Sequence, residues 1–322
     1  MKKVTSILVL MGLVFLLSAC KGTDSDPEKT TVKVMAPLGS PALAQTYMES
    51  KGLGLDNFAE FEIDIVSGTD PLIVAFGSES HDIIYAPTNL GAKLISTGVP
   101  YKFAGTVVWG NLYLATGSDD AFTLADLDGK EIIIFGQNAT PDIIIQTILA
   151  DQTYTTAPTI TYVADAGTAM ATLVTDPSKI VLLAEPVLSV ASLPSKVANL
   201  KSIDLQVAWE DVTGSSSYPQ AGIFVHKDLD KDIVDGYLEL VDLSITEALA
   251  DPAAVAQMAV DLDYGFPLPV LTSAIPRSNI DFVSASDSKA ALELYFGYII
   301  AFSDTSKNLI GGALPNDDFY YE

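Results

Sequence analysis

EIIIFGQNATPD, residues 131–142, carries the signal of a strand and the signal of a helix start in one continuous stretch. The run from Ile132 to Phe135 is wholly apolar, which suits a strand that is buried on both faces. Thr140 before Pro141, with Asp142 in the first turn, is the chemistry that begins a helix. A strand that passes through a short turn into a helix is the repeating unit of α/β proteins.

The same unit recurs along the chain. A second apolar run, Ile180 to Leu183, leads into Glu185-Pro186, and the first strand leads into Gly39-Ser40-Pro41. The pattern predicts an α/β fold with mainly parallel sheets up to Val225, after which helical spacing dominates. The strands are predicted at 31–36, 61–66, 82–85, 101–108, 131–135, 159–163, 180–183, 200–205 and 223–225. The later helices are predicted at 228–250, 252–262 and 286–302.

Composition excludes several classes of partner and site. The chain has 41 acidic and 17 basic residues, a formal net charge of −24, so its field would repel nucleic acid. Solubility explains this acidity as well as any role in ligand choice does. Arg277 is the single arginine, which leaves one candidate for bidentate recognition of an anion. His81 and His226 have no partners at metal-ligand spacing, and we predict no metal, no cofactor and no catalytic residue.

The N-terminus predicts export. Lys2 and Lys3 precede an apolar run that is too short to span a bilayer, and Leu17-Ser18-Ala19-Cys20 follows it. This stretch resembles the lipobox of bacterial lipoproteins, which implies a signal peptide at 1–19 and acylation of Cys20. Residues 20–30 are then a tether, and the protein works outside the cytoplasmic membrane. The alternative is an ordinary secretory signal with an incidental cysteine.

A set of turns in a particular order carries a family resemblance. They are Gly39-Ser40-Pro41, the stretch 81–89 that ends in Pro87-Thr88-Asn89, the stretch 124–140, Ala184-Glu185-Pro186, and the segment 218–222. Together they resemble the solute-binding lipoproteins of ABC importers, of the type II periplasmic-binding fold, in the nitrate, sulfonate and thiamine-precursor branch.

The resemblance implies two lobes with two crossing strands at the hinge. We expect the first lobe at 31–116 plus 222–322 and the second at 117–221. The crossings are expected near 112–117 and 221–226. A ligand would close the lobes around itself, each lobe supplying part of the site.

The resemblance also implies where the ligand is held, because ligands of open α/β sheets sit beyond the carboxyl ends of the strands. The residues expected there by position are Ser40, Asn89, Gln137, Asn138 and Glu185. Thr140 is added because it begins a helix, and Trp109 and Tyr218 because aromatic faces stack on planar or cationic ligands. The alternatives are helix capping for the polar residues and core packing for the aromatic ones.

The function that follows is a receptor without chemistry of its own. We expect a monomer that binds a small molecule, works with an ABC permease and ATPase, and meets the membrane through its lipid. A planar, nitrogen-containing compound such as a vitamin precursor is preferred over a sulfonate or nitrate anion. An enzyme related to a pyrimidine-forming synthase of the same fold, and a ligand sensor, are the alternatives from other classes.

Overall fold

The computed structural model describes residues 29–56 and 58–322. They form a six-stranded sheet and a five-stranded sheet, with helices packed around both. The predicted signal peptide, Cys20 and nearly all of the predicted tether lie outside these residues. Within the described ranges, no helix has both the length and the apolar character needed to cross a bilayer.

The strands and helices alternate through most of the chain, as the sequence predicts. The strands are β1 Thr30–Pro37, β2 Ala59–Val66, β3 Ile83–Pro87, β4 Tyr101–Val108, β5 Leu112–Thr116, β6 Glu131–Phe135, β7 Thr159–Val163, β8 Ile180–Ala184, β9 Lys201–Asp204, β10 Ala221–His226 and β11 Ile280–Ser284. The helices are α1 Ser40–Lys51, α2 Asp70–Ser78, α3 Thr88–Ile95, α4 Thr140–Asp151, α5 Ala166–Thr175, α6 Val187–Ala191, α7 Leu205–Thr213, α8 Lys231–Ala250, α9 Pro252–Asp261, α10 Leu268–Ala274 and α11 Ala285–Phe302.

The first sheet has the strand order β11-β4-β10-β3-β1-β2. β1 pairs in parallel with β2 and β3, whereas β10 runs antiparallel to both β3 and β4. The second sheet has the order β7-β6-β8-β5-β9, with β6 parallel to β7 and β8 and with β5 antiparallel to its neighbours. The predicted α/β class is therefore confirmed. The prediction of mainly parallel sheets is wrong: among the described residues four strand pairs are parallel and five are antiparallel, because β5, β10 and β11 run against their neighbours.

The apolar runs of the sequence are the buried centres of these sheets. Ile132, Ile134 and Leu182 have no exposed surface. Side chains on both faces of β6 and β8 are covered by helices, which explains why these strands read as continuous apolar runs rather than as alternating ones.

The chain crosses between the sheets at positions that differ from the predicted ones. Residues 112–116 are β5, which pairs with β8 on one side and β9 on the other, deep in the second sheet. Residues 221–226 are β10, inside the first sheet. The crossings are instead the short segments 109–111 and 214–220, and the expected boundary at 116 would assign β5 to the wrong sheet. Only three residues separate β4 from β5, so the sequence shows no break there.

β11 is a strand that the sequence does not predict. Its five residues, Ile280–Ser284, pair with β4 at the edge of the first sheet, with an irregular register between Ile280 and Val283. α11 follows directly. It packs against β4 of the first sheet and also against α4, which belongs to the second sheet. The helix therefore bridges the two halves of the molecule beside the crossings.

Candidate functional site

Asn111, in the first crossing segment, joins the strand-end turns of the two sheets. The side chain is buried, and its Nδ2 donates to Ser40 Oγ at 2.8 Å and to the backbone carbonyl of Glu185 at 3.3 Å. Ser40 begins α1 directly after β1 of the first sheet, and Glu185 directly follows β8 of the second. Two of the predicted ligand-binding residues are therefore brought together, through a third residue that the sequence did not point to.

Gln220, at the end of the second crossing segment, completes this arrangement. Its Nε2 donates to Asn111 Oδ1 at 2.7 Å, and its Oε1 accepts from the Asn111 backbone N–H at 3.1 Å. The Gln220 carbonyl accepts from the backbone N–H of Thr88, which begins α3, at 3.1 Å. The reciprocal amide pair thus links both crossings, and it places Thr88 and the adjacent Asn89 near the same junction. Asn89 itself is partly exposed.

The turns after β1 and β8 face each other closely. A Cβ placed on Gly39 would lie 3.9 Å from Pro186 Cδ, and the peptide bond between Glu185 and Pro186 is cis. Gly39 has a φ of 124°, a backbone conformation that residues with a side chain rarely adopt. Glycine at this position is therefore required by the turn, whereas a Cβ there would make only an ordinary van der Waals contact with the opposite turn.

Glu185 is the charged group at the centre of this junction. Its side chain has no exposed surface, its Oε1 lies 3.1 Å from Arg277 Nε, and its Oε2 accepts from the Ser189 backbone N–H at 3.1 Å. Burial raises the pKa of the Glu185 carboxyl, and the hydrogen bond from Ser189 and the charge of Arg277 offset this in part. The one arginine of the chain thus pairs with an acid.

Two buried polar atoms beside this pair lack hydrogen bonds. Glu185 Oε1 and Ser189 Oγ have no hydrogen-bond partner among the residues that the structure describes. Buried polar groups are nearly always satisfied in folded proteins, and exceptions mark places where water or a ligand supplies the partner. Glu185 Oε1 nevertheless has the positive charge of Arg277 3.1 Å away, so the buried carboxylate is compensated by an ion pair although this oxygen accepts no hydrogen bond.

Glu185→Gln is expected to remove a pH-dependent loss of stability. A carboxyl whose pKa is raised on folding stabilises the folded state fully at pH values below its unfolded pKa, about 4.3. This stabilisation is lost as the pH rises through the pKa of the folded state. The free energy of unfolding of the wild type, relative to that of the variant, should therefore fall as pH rises from about 4. Urea denaturation over a pH series measures this difference.

The control for this series is Glu239→Gln, which changes an exposed glutamate of α8. The difference in free energy of unfolding between this variant and the wild type should be the same at every pH of the series. A difference between the wild type and Glu185→Gln that stays constant or grows with pH would contradict the raised pKa of the Glu185 carboxyl.

The turn before α4 forms a second polar region. Gln137 and Asn138 are exposed, and Asn138 has a φ of 57°. The Asn138 backbone N–H donates to Asp142 Oδ2 at 2.7 Å, while Thr140 Oγ1 lies 2.7 Å from Tyr295 OH on α11. Asp142, buried in the first turn of α4, thus binds the backbone amide of Asn138, a residue that the sequence analysis expected at the ligand site. The side chains of Gln137 and Asn138 remain open to solvent.

The two aromatic candidates do not join these turns. Tyr218 has no exposed surface, and its hydroxyl donates to Gln206 Oε1 at 2.8 Å. Its ring packs edge to face on Trp209 with centroids 5.4 Å apart, so it fits the core-packing alternative and not ligand contact. Trp109 is partly exposed and donates from Nε1 to the Asp281 carbonyl at 3.1 Å. It lines a different cavity.

Three solved structures of one architecture match this chain. An ABC transporter from Parabacteroides distasonis matches with a TM-score of 0.78 and 21% identity, over 91% of this chain and 99% of that one. The aliphatic sulphonate binding protein SsuA from Escherichia coli matches with a TM-score of 0.64 and 12% identity, over 91% of this chain and 94% of that one. The ligand-binding component of an ABC-type import system from Staphylococcus aureus matches with a TM-score of 0.63 and 14% identity, over 91% of this chain and 97% of that one.

No family model and no curated protein match the sequence. The likeness is therefore one of fold, and it extends over nearly the whole length of the chain and of the matching structures. The structures from Escherichia coli and Staphylococcus aureus are named as a binding protein and as a ligand-binding component of an ABC-type import system, the class that the sequence resembles. The described part of the chain has the two-lobe type II periplasmic-binding-protein fold, as the sequence predicts.

Proposed function

We propose that this protein is an extracytoplasmic solute-binding receptor of an ABC importer. The fold supports this proposal, and the observation that carries it is the junction at Asn111, where the turns after β1 and β8 meet. Both side chains are buried in this arrangement, so a ligand that separates the two turns would contact one lobe through Ser40 and the other through Glu185. Because each lobe supplies part of the site, binding favours the closed arrangement, which is the form for a permease to recognise.

The preferred ligand is a planar, nitrogen-containing compound that is neutral or weakly cationic, such as a vitamin precursor. Glu185 Oε1 lies 3.1 Å from Arg277 Nε but accepts no hydrogen bond among the described residues, so an N–H group of the ligand would supply one. A positive charge on the ligand would add to that of Arg277 in offsetting the cost of keeping the carboxylate buried. The overall charge of −24 adds a field that attracts cations.

The state of Arg277 argues against a simple sulfonate or nitrate. Its Nε lies beside Glu185, an Nη atom donates to Ser202 Oγ at 3.3 Å, and the guanidinium lies 5.0 Å from the centroid of the Tyr113 ring. The fork that would hold an oxyanion is therefore engaged by a carboxylate, a hydroxyl and an aromatic face. An anion would have to displace the Glu185 carboxylate or rely on backbone amides.

The proposal includes a lipid anchor at Cys20, which lies outside the described residues. The anchored receptor works as a monomer, with lobes that meet at the crossings 109–111 and 214–220. Its partners are the permease and ATPase of the importer. It has no catalytic step.

Thermal-shift screening of the mature chain tests the ligand class. Pyrimidines and flavins are expected to raise the melting temperature more than sulfonates or nitrate do. A ligand at 100 times its dissociation constant adds about 2.7 kcal/mol of stability. Glu185→Gln should weaken binding of the best heterocycle about 10- to 100-fold, because a hydrogen bond to a charged group contributes about 1.5–3 kcal/mol.

Glu239→Gln, the exposed control on α8, should leave the affinity unchanged. A shift with sulfonate or nitrate and none with heterocycles would contradict the ligand class. Chemical turnover of a bound heterocycle would contradict the receptor role and favour the enzyme.

A further inference from the structure

A cavity of about 540 Å³ lies beside the crossings and is separate from the junction at Asn111. Its walls come from both halves of the molecule: α7 of the second sheet, the segment 214–220, the end of α8, and β11 of the first sheet. None of Ser40, Asn89, Gln137, Asn138, Thr140 and Glu185 lines it. We call it the hinge cavity, and the residues that matter here are Trp109, Val207, Glu210, Leu249 and Asp281.

Trp109 forms a fixed aromatic wall of the hinge cavity. Its Nε1 donates to the Asp281 carbonyl at 3.1 Å, and its backbone N–H donates to the Asn279 carbonyl at 2.9 Å. Its own carbonyl accepts from Ser217 Oγ. Hydrogen bonds therefore fix both the indole and the backbone of Trp109. The orientation of the ring is set before a ligand binds, which lowers the entropic cost of binding.

Two apolar side chains of the hinge cavity are open to solvent. Val207 is 58% exposed and Leu249 is 46% exposed, and both line the cavity together with Trp109. A single exposed aliphatic residue needs no explanation, whereas apolar side chains that converge in a concave site are typical of ligand pockets.

The charged side chains that line the hinge cavity are acidic. Among the described residues that line it, the charged ones are Glu210 and Asp281, and neither forms a salt bridge within the described ranges. Burial, together with the charge of Asp242, raises the pKa of the Asp281 carboxyl. The Asp281 carboxyl therefore lies in a negative field that a cation would relieve.

We propose that the hinge cavity is a second ligand site, and that it binds a small organic cation with an apolar or flat body. The ammonium group lies between the Glu210 and Asp281 carboxylates, and the body packs on the Trp109 indole and on the exposed faces of Val207 and Leu249. Tryptophan is the aromatic side chain that attracts cations most strongly, so the wall and the two acids favour the same chemistry.

Tryptophan fluorescence provides a direct test, because the chain has two tryptophans and Trp209 is fully buried. The mature chain is titrated with 2-phenylethylammonium, and with 2-phenylethanol as a neutral analogue of similar shape. We expect a saturable change in emission with the cation and an affinity at least about tenfold lower for the alcohol. The double variant Glu210→Gln, Asp281→Asn should lower the affinity for the cation about tenfold.

The matched control is Asp211→Asn, an exposed acid on the same helix that does not line the cavity, and it should leave the affinity unchanged. In Trp109→Phe the emission change should be lost. Equal affinity for the cation and the alcohol, or equal affinity in the wild type and the double variant, would overturn the proposal. A signal that persists in Trp109→Phe would place the probe elsewhere and would overturn it as well.

Discussion

Trp209→Ala is expected to lower the free energy of unfolding by about 3–5 kcal/mol, the range for truncating a buried large aromatic residue. Trp209 lies on α7 with no exposed surface, and its ring packs edge to face on Tyr218 and on Tyr298, with centroids 5.4 and 4.9 Å apart. Its removal leaves a cavity between α7 and α11. Urea denaturation followed by circular dichroism measures the loss without relying on tryptophan emission.

Val207→Ala is the matched control on the same helix. Val207 is 58% exposed, so its truncation should change stability by no more than about 0.5 kcal/mol. If both variants lost similar stability, α7 would not be anchored by its buried face, and the packing described between α7 and α11 would be wrong.

Asn111→Ala is expected to cost about 3 kcal/mol of stability and to weaken ligand binding at the junction. The truncation removes the partners of Ser40 Oγ, the Glu185 carbonyl and Gln220 Nε2 at once. Each buried polar group left without a partner costs about 1–3 kcal/mol, and relaxation of the junction recovers part of the sum. Denaturation gives the stability, and calorimetry with the ligand found by screening gives the affinity.

Asn308→Ala, at an exposed position near the C-terminus, is the control and should be within about 0.5 kcal/mol of the wild type. An Asn111→Ala variant with unchanged stability would show that the crossings are held by other contacts. Unchanged affinity in a destabilised variant would separate the junction from the ligand site.

The sequence predicts the class of fold because the decisive signals are local. A strand buried on both faces is a continuous apolar run, and Ile132 to Phe135 shows this without knowledge of any neighbour. Ser40 and Glu185 do lie in turns that follow strands, because such a turn is set by adjacent residues, whereas their predicted contact with a ligand stays a prediction. The division into lobes is harder, since three residues between β4 and β5 leave no signal of a change of sheet.

The junction itself could not be predicted from local signals. Asn111 meets Ser40 across 71 positions and Gln220 across 109. An asparagine after a glycine is typical of any turn, and only the assembled fold shows that this one is buried with every side-chain atom engaged. The reverse holds for Tyr218, whose aromatic ring and position after α7 suggested a ligand contact. Its surroundings are supplied by α7 and α11, whose packing no local pattern reveals.

The strand order of the first sheet affects how the chain matures during synthesis. All strands of the second sheet lie between residues 112 and 204, so the ribosome releases that sheet complete while the first still lacks β10 and β11. β10 separates β3 from β4, so these two strands have unpaired edges until residue 226 has emerged. Unpaired edges invite wrong partners, and the interval is long because the entire second sheet is translated within it.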